Sequence, residues 1–187
     1  MRPIPQFLLC VLLLAVGAAA QADDAAAAAD AWVTPTLPGV GKIHPLPKAA
    51  YQPQPGVTYK IVFAITKDSD KPSEINHSLD AVARTVNLYA SAGTPLDHMK
   101  FVAVINGGAA AAVLDNEHYK QKFGVDNPNL DLIHKLRAAG IDIAVCGQAL
   151  AHLEYDQAWV DPAVKVALSA LTTITILETQ GYVLMPL

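Results

Sequence analysis

From Val57 onward the chain alternates between two hydrophobic periods. Tyr59 to Thr66 is rich in Tyr, Ile, Val and Phe and reads as a first strand. A polar turn, Asp68 to Ser73, follows it. Ile75, Leu79, Val82, Val86 and Tyr89 then recur at helical spacing until Gly93, a suitable residue just past a helix end. Phe101 to Ile105 is a second strand, after which Asn106-Gly107-Gly108 opens an alanine-rich helical turn reaching Leu114. Asn127-Pro128 has the form of an N-cap followed by proline at the first helical position. Leu130, Ile133 and Leu136 give that helix its apolar stripe, and Gly140 closes it. Ile141 to Cys146 is the third strand, with a helix expected from Gly147 to Tyr155. Asp161-Pro162 breaks the chain before a fourth strand, Val164 to Leu168. Leu171, Ile174 and Leu177 mark a last helix stopped by Gly181, and Tyr182 to Met185 is the fifth strand. Such alternation predicts one three-layer α/β/α domain over residues 57–187, built on a five-stranded parallel sheet.

The pattern before Val57 is different. Arg2, the apolar stretch Phe7 to Val16 and the motif Ala20-Gln21-Ala22 form a secretory signal over residues 1–22, cleaved near Ala22. Its apolar core is shorter than the ~20 residues of a membrane span, and no later segment reaches that length, so no membrane span is expected after cleavage. The mature chain is expected in the periplasm or secreted. Residues 23–56 form an Ala/Pro-rich leader or arm. Six prolines between Pro35 and Pro55 prevent helix or sheet from propagating there. Composition favours a loosely ordered leader, while Trp32, Val33, Leu37, Ile43 and Tyr51 would serve an arm anchored on a neighbouring subunit.

Composition narrows the function classes. The chain has 13 basic and 17 acidic residues, for a formal net charge of −4, and the basic ones are scattered rather than grouped into a phosphate-tracking stripe. No nucleic-acid partner is expected. Of two cysteines, Cys10 lies in the signal, which leaves Cys146 without an intramolecular partner. Stability must come from the core, and any sulfur chemistry must involve a second molecule. The six histidines form neither H-x-H nor H-E-x-x-H, so no metal and no cofactor are implied.

In an open parallel sheet, ligands bind outside the carboxyl ends of the strands. Four features fall on that edge: Asp68-Ser69-Asp70, Asn106-Gly107-Gly108, Cys146-Gly147-Gln148 and the Ser169-Ala170 turn. Cys146, between a strand and a helix N-terminus, sits where unpaired N–H groups favour thiolate; alternatively it is a small buried hydrophobe. Gly147 would let a reactant approach, and Gln148 would offer its amide to an anion or face solvent. Asn106, Gly107 and Gly108 would cradle an anion with backbone N–H groups, or serve only a tight turn. His77 and His118 are candidate acid or base groups, with surface positions as the alternative. Asp68 and Asp70 would hold a cation or form a solvated turn. There is no P-loop, no G-x-G-x-x-G and no G-x-S-x-G elbow.

The strand–helix spacing, Asn127-Pro128-Asn129, Leu136 to Gly140, Ile143 to Gln148 and the closing Gln180-Gly181-Tyr182 together resemble the DsrE/DsrF-like sulfur-oxidation family, most closely its exported branch. The resemblance covers about Tyr59 to Leu187. It implies a parallel five-stranded α/β/α fold and homo-oligomers, often trimers or hexamers. It also implies that a cysteine at the position of Cys146 carries persulfide sulfur between a donor and an acceptor protein. The signal and the proline-rich leader depart from the family's cytoplasmic members. Two functions follow as expectations: a thiol-based sulfur carrier or sulfurtransferase-like protein, or an oligomeric binding module in which Cys146 is only packing. A cysteine that merely senses oxidants is a third.

Overall fold

The computed structural model describes residues 32–187. The expected secretory signal over residues 1–22 and the start of the expected leader lie outside the described residues. Five strands form the sheet: β1 (Tyr59–Ile65), β2 (Met99–Ile105), β3 (Asp142–Cys146), β4 (Lys165–Ala167) and β5 (Val183–Pro186). Their order is β4-β3-β2-β1-β5, with every pair parallel. Five α-helices connect them: α1 (His77–Ser91), α2 (Asn116–Phe123), α3 (Leu130–Ala138), α4 (Gly147–His152) and α5 (Ala170–Thr179). The expected three-layer α/β/α architecture with a parallel five-stranded sheet is the one observed.

Period-two alternation assigns each strand residue to a face. Ile61, Phe63, Ile65, Phe101, Ala103, Ile105, Ile143 and Val145 join one core cluster with Leu79, Val82 and Val86 of α1 and Leu132, Ile133 and Leu136 of α3. Phe63 and Phe101 meet edge to face at 5.7 Å within it. Val62, Val102, Val104 and Cys146 point the other way, onto Ala170, Ile174 and Leu177 of α5. The second face is therefore thin, with Leu171 and Ile176 of its helix left exposed.

Several local expectations shift. The alanine-rich turn is a 3-10 segment, Gly107–Val113, whose last five residues are buried. Asn127 does not cap α3, which begins three residues later. Its side chain instead donates to the carbonyls of Ala112 (3.0 Å) and Leu114 (2.6 Å) and accepts from the N–H of Asn129 (3.0 Å). Asn129 in turn accepts the Asn76 N–H at 2.7 Å, and Asn76 caps α1. This asparagine chain ties three loops together at the carboxyl edge. The helix expected to reach Tyr155 stops at His152, because Glu154 turns left-handed at φ 59. α2 has no counterpart in the expected pattern: Tyr119 is its only buried residue, so it carries no apolar stripe.

Part of the proline-rich segment is held firmly. Leu37, Val40 and Ile43 are buried, and Val33 pairs with Ile43 in an antiparallel bridge. Asn87 of α1 supplies the grip. Its Oδ1 accepts from the N–H of Thr36 (3.1 Å) and Leu37 (2.9 Å), while its Nδ2 donates to the carbonyls of Val40 (3.0 Å) and Gly41 (2.9 Å). Gly41, at φ +58, lies so close to the Ala83–Arg84 backbone that no β-carbon fits. Composition signals that proline blocks regular structure, but not that irregular backbone can be satisfied by one buried amide. Trp32 and Tyr51 remain exposed.

Candidate functional site

Cys146 closes β3 and stands at the N-cap of α4. Its register partner on β4 is Ala167. On the other side, Ile105 pairs with Val145, so Asn106 lies level with Cys146 one step further along, and alternation puts both on the α5 face. Ser169 caps α5, accepting the Leu171 N–H at 3.2 Å, and the Cys146 thiol donates to its Oγ at 4.0 Å.

Two opposing effects act on the thiol. Burial, with only 6% of the residue exposed, pushes its pKa up. The backbone N–H groups of Ala170, Ala149 and Gln148 and the Ser169 hydroxyl favour the anion, and together they hold the pKa below the ordinary thiol value. Those donors come from the first turns of two helices, α4 and α5, which converge on one sulfur.

A β-carbon at Gly147 would lie 2.9 Å from the Ala167 carbonyl oxygen, so the missing side chain accommodates the close approach of β4. The Gln148 amide donates to the Leu168 carbonyl at 3.3 Å, tying α4 to the chain that leads into α5. Asn106 makes no capping bond, and Gly107 takes φ +55 against Thr66, so the turn packs on the loop after β1. Gly108 lies beside Asp68.

The two histidines do not join the thiol. His77 is exposed, with Nε2 3.6 Å from Asp70. His118 lies beside α2's cap, its Nδ1 2.8 Å from both oxygens of Asp115 and its ring stacked on Trp159. Among the described residues neither has a hydrogen bond or ion pair with Cys146 or Ser169. Asp70, Glu74 and His77 bring one ligand atom each within 4.8 Å of one another. That group is largely exposed and Glu74 already pairs with Lys71 at 2.9 Å, so it makes no enclosed metal centre. Ser169 is the important residue whose role was not foreseen; its signal was the Ser-Ala step between a β-rich run and an apolar helical stripe.

The model of the DsrE/DsrF-like family matches residues 59–187, the whole sheet and every helix around it. The chain belongs to the DsrE/DsrF-like family. No curated protein matches it. Among solved structures, this DsrE/DsrF-like chain resembles the protein of unknown function MTH1491 from Methanobacterium thermoautotrophicum. The two share 19% identity with a TM-score of 0.52, over 69% of this chain and 99% of that one. It also resembles the ychN protein from E. coli, at 14% identity and a TM-score of 0.51, over 69% and 99% of the respective chains. These likenesses show the fold. The DsrE/DsrF-like family is associated with sulfur relay, which makes an anion-stabilised sulfur at the carboxyl edge the natural centre of interest.

Proposed function

We propose that this DsrE/DsrF-like protein is an exported sulfur carrier acting through Cys146. The observation that carries the reading is the convergence of three backbone amides and the Ser169 hydroxyl on one thiol. The Cys146 thiolate attacks the outer sulfur of a donor persulfide, R–S–SH. A bond forms from Cys146 Sγ to that sulfur, the donor's S–S bond breaks, and R–S⁻ leaves. An acceptor thiolate later takes the same sulfur and regenerates Cys146. No oxidant is consumed, because the transferred sulfur keeps its oxidation level. The amides that favour thiolate equally favour Cys146 as the leaving group in the second step.

The test is intact-mass analysis of the folded protein after exposure to glutathione persulfide. A gain of one sulfur, removed by dithiothreitol and missing in Cys146→Ser, is the expected result. A folded protein that takes up no sulfur, with Cys146 alkylated only after unfolding, would end the carrier reading.

One observation favours a second reading. At 6% exposure Cys146 has the burial of a packing residue, as expected in an oligomeric binding module. The same alkylation experiment separates the two. Either way, a homo-oligomer accounts for the outer side of α5 and its neighbours: Leu168 is 74% exposed, Leu171 80% and Val183 66%. Light scattering of the wild type against Leu171→Glu tests it, with a loss of mass expected in the variant.

A further inference from the structure

A second polar site lies at the far end of α4. A cavity of ≈ 280 Å³ opens between α2 and the turn at residues 153–159, lined by His118, Lys122, Leu153, Glu154, Tyr155 and Trp159 among others. Its size suits a metabolite rather than a larger ligand.

His118 is fixed on two sides. Its Nδ1 contacts the Asp115 carboxylate at 2.8 Å, and its ring stacks on Trp159 at 4.6 Å and 13°. With Nδ1 held by the carboxylate, Nε2 is the ring nitrogen left for another partner. Nε2 has no partner among the described residues. Lys122 lies over the Tyr155 ring, Nζ 4.6 Å from its centroid, which sets a cation at the cavity wall.

Glu154 supplies the opposite charge under unusual conditions. Among the described residues, the other four α-helices all end at a left-handed glycine: Gly93 (φ +87), Gly124 (φ +77), Gly140 (φ +85) and Gly181 (φ +85). α4 makes the same kind of turn, with the Tyr155 N–H donating to Leu150 O at 2.9 Å and the Glu154 N–H to Ala151 O at 3.2 Å. Its left-handed residue is Glu154, at φ 59. Glycine would adopt that conformation without strain, so the turn itself does not call for a glutamate. Glu154 nonetheless occupies this strained position on the cavity's lining.

We propose that this cavity binds a small zwitterion of the free amino-acid class. Glu154 receives the ammonium, Lys122 receives the carboxylate, and Leu153 with the aromatic walls of His118, Tyr155 and Trp159 takes the apolar part. A simple anion would meet the Glu154 carboxylate, and a simple cation would meet Lys122. Only a molecule bearing both charges finds each one matched. The site does not depend on Cys146 chemistry.

The experiment follows Trp159 fluorescence in a Trp32→Phe background, titrating each non-aromatic standard L-amino acid. The best binder is then compared with its amide, which keeps only the ammonium, and with its deaminated acid, which keeps only the carboxylate. The expected result is saturable binding by a zwitterion, weakened at least about tenfold in each singly charged analogue. Lys122→Ala should weaken it by a similar factor. Glu154→Gly should also weaken it while raising the melting temperature, a combination that a purely structural glutamate would not give. The proposal is overturned if no amino acid gives saturable binding by ~20 mM, a free energy too weak for a built site. Equal binding of the three charge forms, or Glu154→Gly binding like wild type, would overturn it as well.

Discussion

Replacing Gly147 by alanine puts a methyl group where β4 already sits. The new β-carbon would lie 2.9 Å from the Ala167 carbonyl and 3.6 Å from the Leu168 carbonyl and from Val166. Ordinary contact needs about 0.5 Å more than the first of these, and the obstacle is strand backbone, not a side chain that can swing aside. Overpacking of this kind costs about 1–3 kcal/mol. Reduced freedom of the unfolded chain returns about 0.4–1 kcal/mol of that. A net loss of about 1–2 kcal/mol corresponds to a melting temperature lower by roughly 3–8 °C for a domain of this size. Gly108→Ala is the matched control on the same edge. Its β-carbon would meet Asp68 at 3.6 Å, an ordinary contact, with no left-handed backbone, so stability should change by less than about 0.5 kcal/mol. The consequence for the thiol follows from where β4 leads. Pushing Ala167 and Leu168 outward carries Ser169 and the Ala170 N–H away from Cys146, so the thiol pKa rises toward its ordinary value. Urea melts give the stability, and alkylation rate against pH gives the thiol. If Gly147→Ala melts with wild type and alkylates with the same pH profile, the close approach of β4 does not govern this edge.

Three further outcomes are expected. Ser169→Ala removes both the cap of α5 and a hydroxyl beside Cys146, so stability should fall by about 1 kcal/mol. The thiol should then ionise at higher pH than in wild type, and an unchanged alkylation profile would contradict this. Asn87→Ala leaves the backbone groups of Thr36, Leu37, Val40 and Gly41 unpaired, a loss of about 2–4 kcal/mol. Limited proteolysis should then cut residues 33–44 before the sheet, and uniform resistance would argue against Asn87 as the grip. Finally, because the Cys146 pKa is lower folded than unfolded, the unfolded chain holds more protons between the two values. Stability should therefore rise with pH across that window, be fully present above the unfolded thiol value near ~8.5, and vanish as pH falls through the folded one. The difference in stability between wild type and Cys146→Ser, measured by urea melts from pH 6 to about 9.5, should grow accordingly; parallel curves would refute it.

The elements that were legible in the sequence are those whose burial is periodic. β1, β2 and β3 carry near-continuous apolar runs because both faces of a parallel sheet are covered, and α1 and α3 show clean stripes. α2 escaped because Tyr119 is its one buried residue, with Phe123 only partly buried beside it, so it carries no apolar stripe. Cys146 was legible as a strand-to-helix residue, but its helix is short, and half of what favours its anion comes from α5, 23 residues along the chain. The asparagine chain and the grip of Asn87 were hidden for a related reason. A buried amide that satisfies distant backbone leaves no periodic mark, since its partners are chosen by tertiary placement.

α5 supplies most of the packing on its side of the sheet, joined by Ala149 of α4, and its first turn also touches the sulfur. Sulfur and helix therefore share a lever. Charge on Cys146 is favoured by the N–H of Ala170 in the first turn of α5. Pressure on the bare outer side of α5 shifts those same donors, and with them the ease of making that charge. Linkage makes the two influences equal and reciprocal. A molecule that leans on Leu171 would thus sense whether the sulfur below is charged, without ever reaching it.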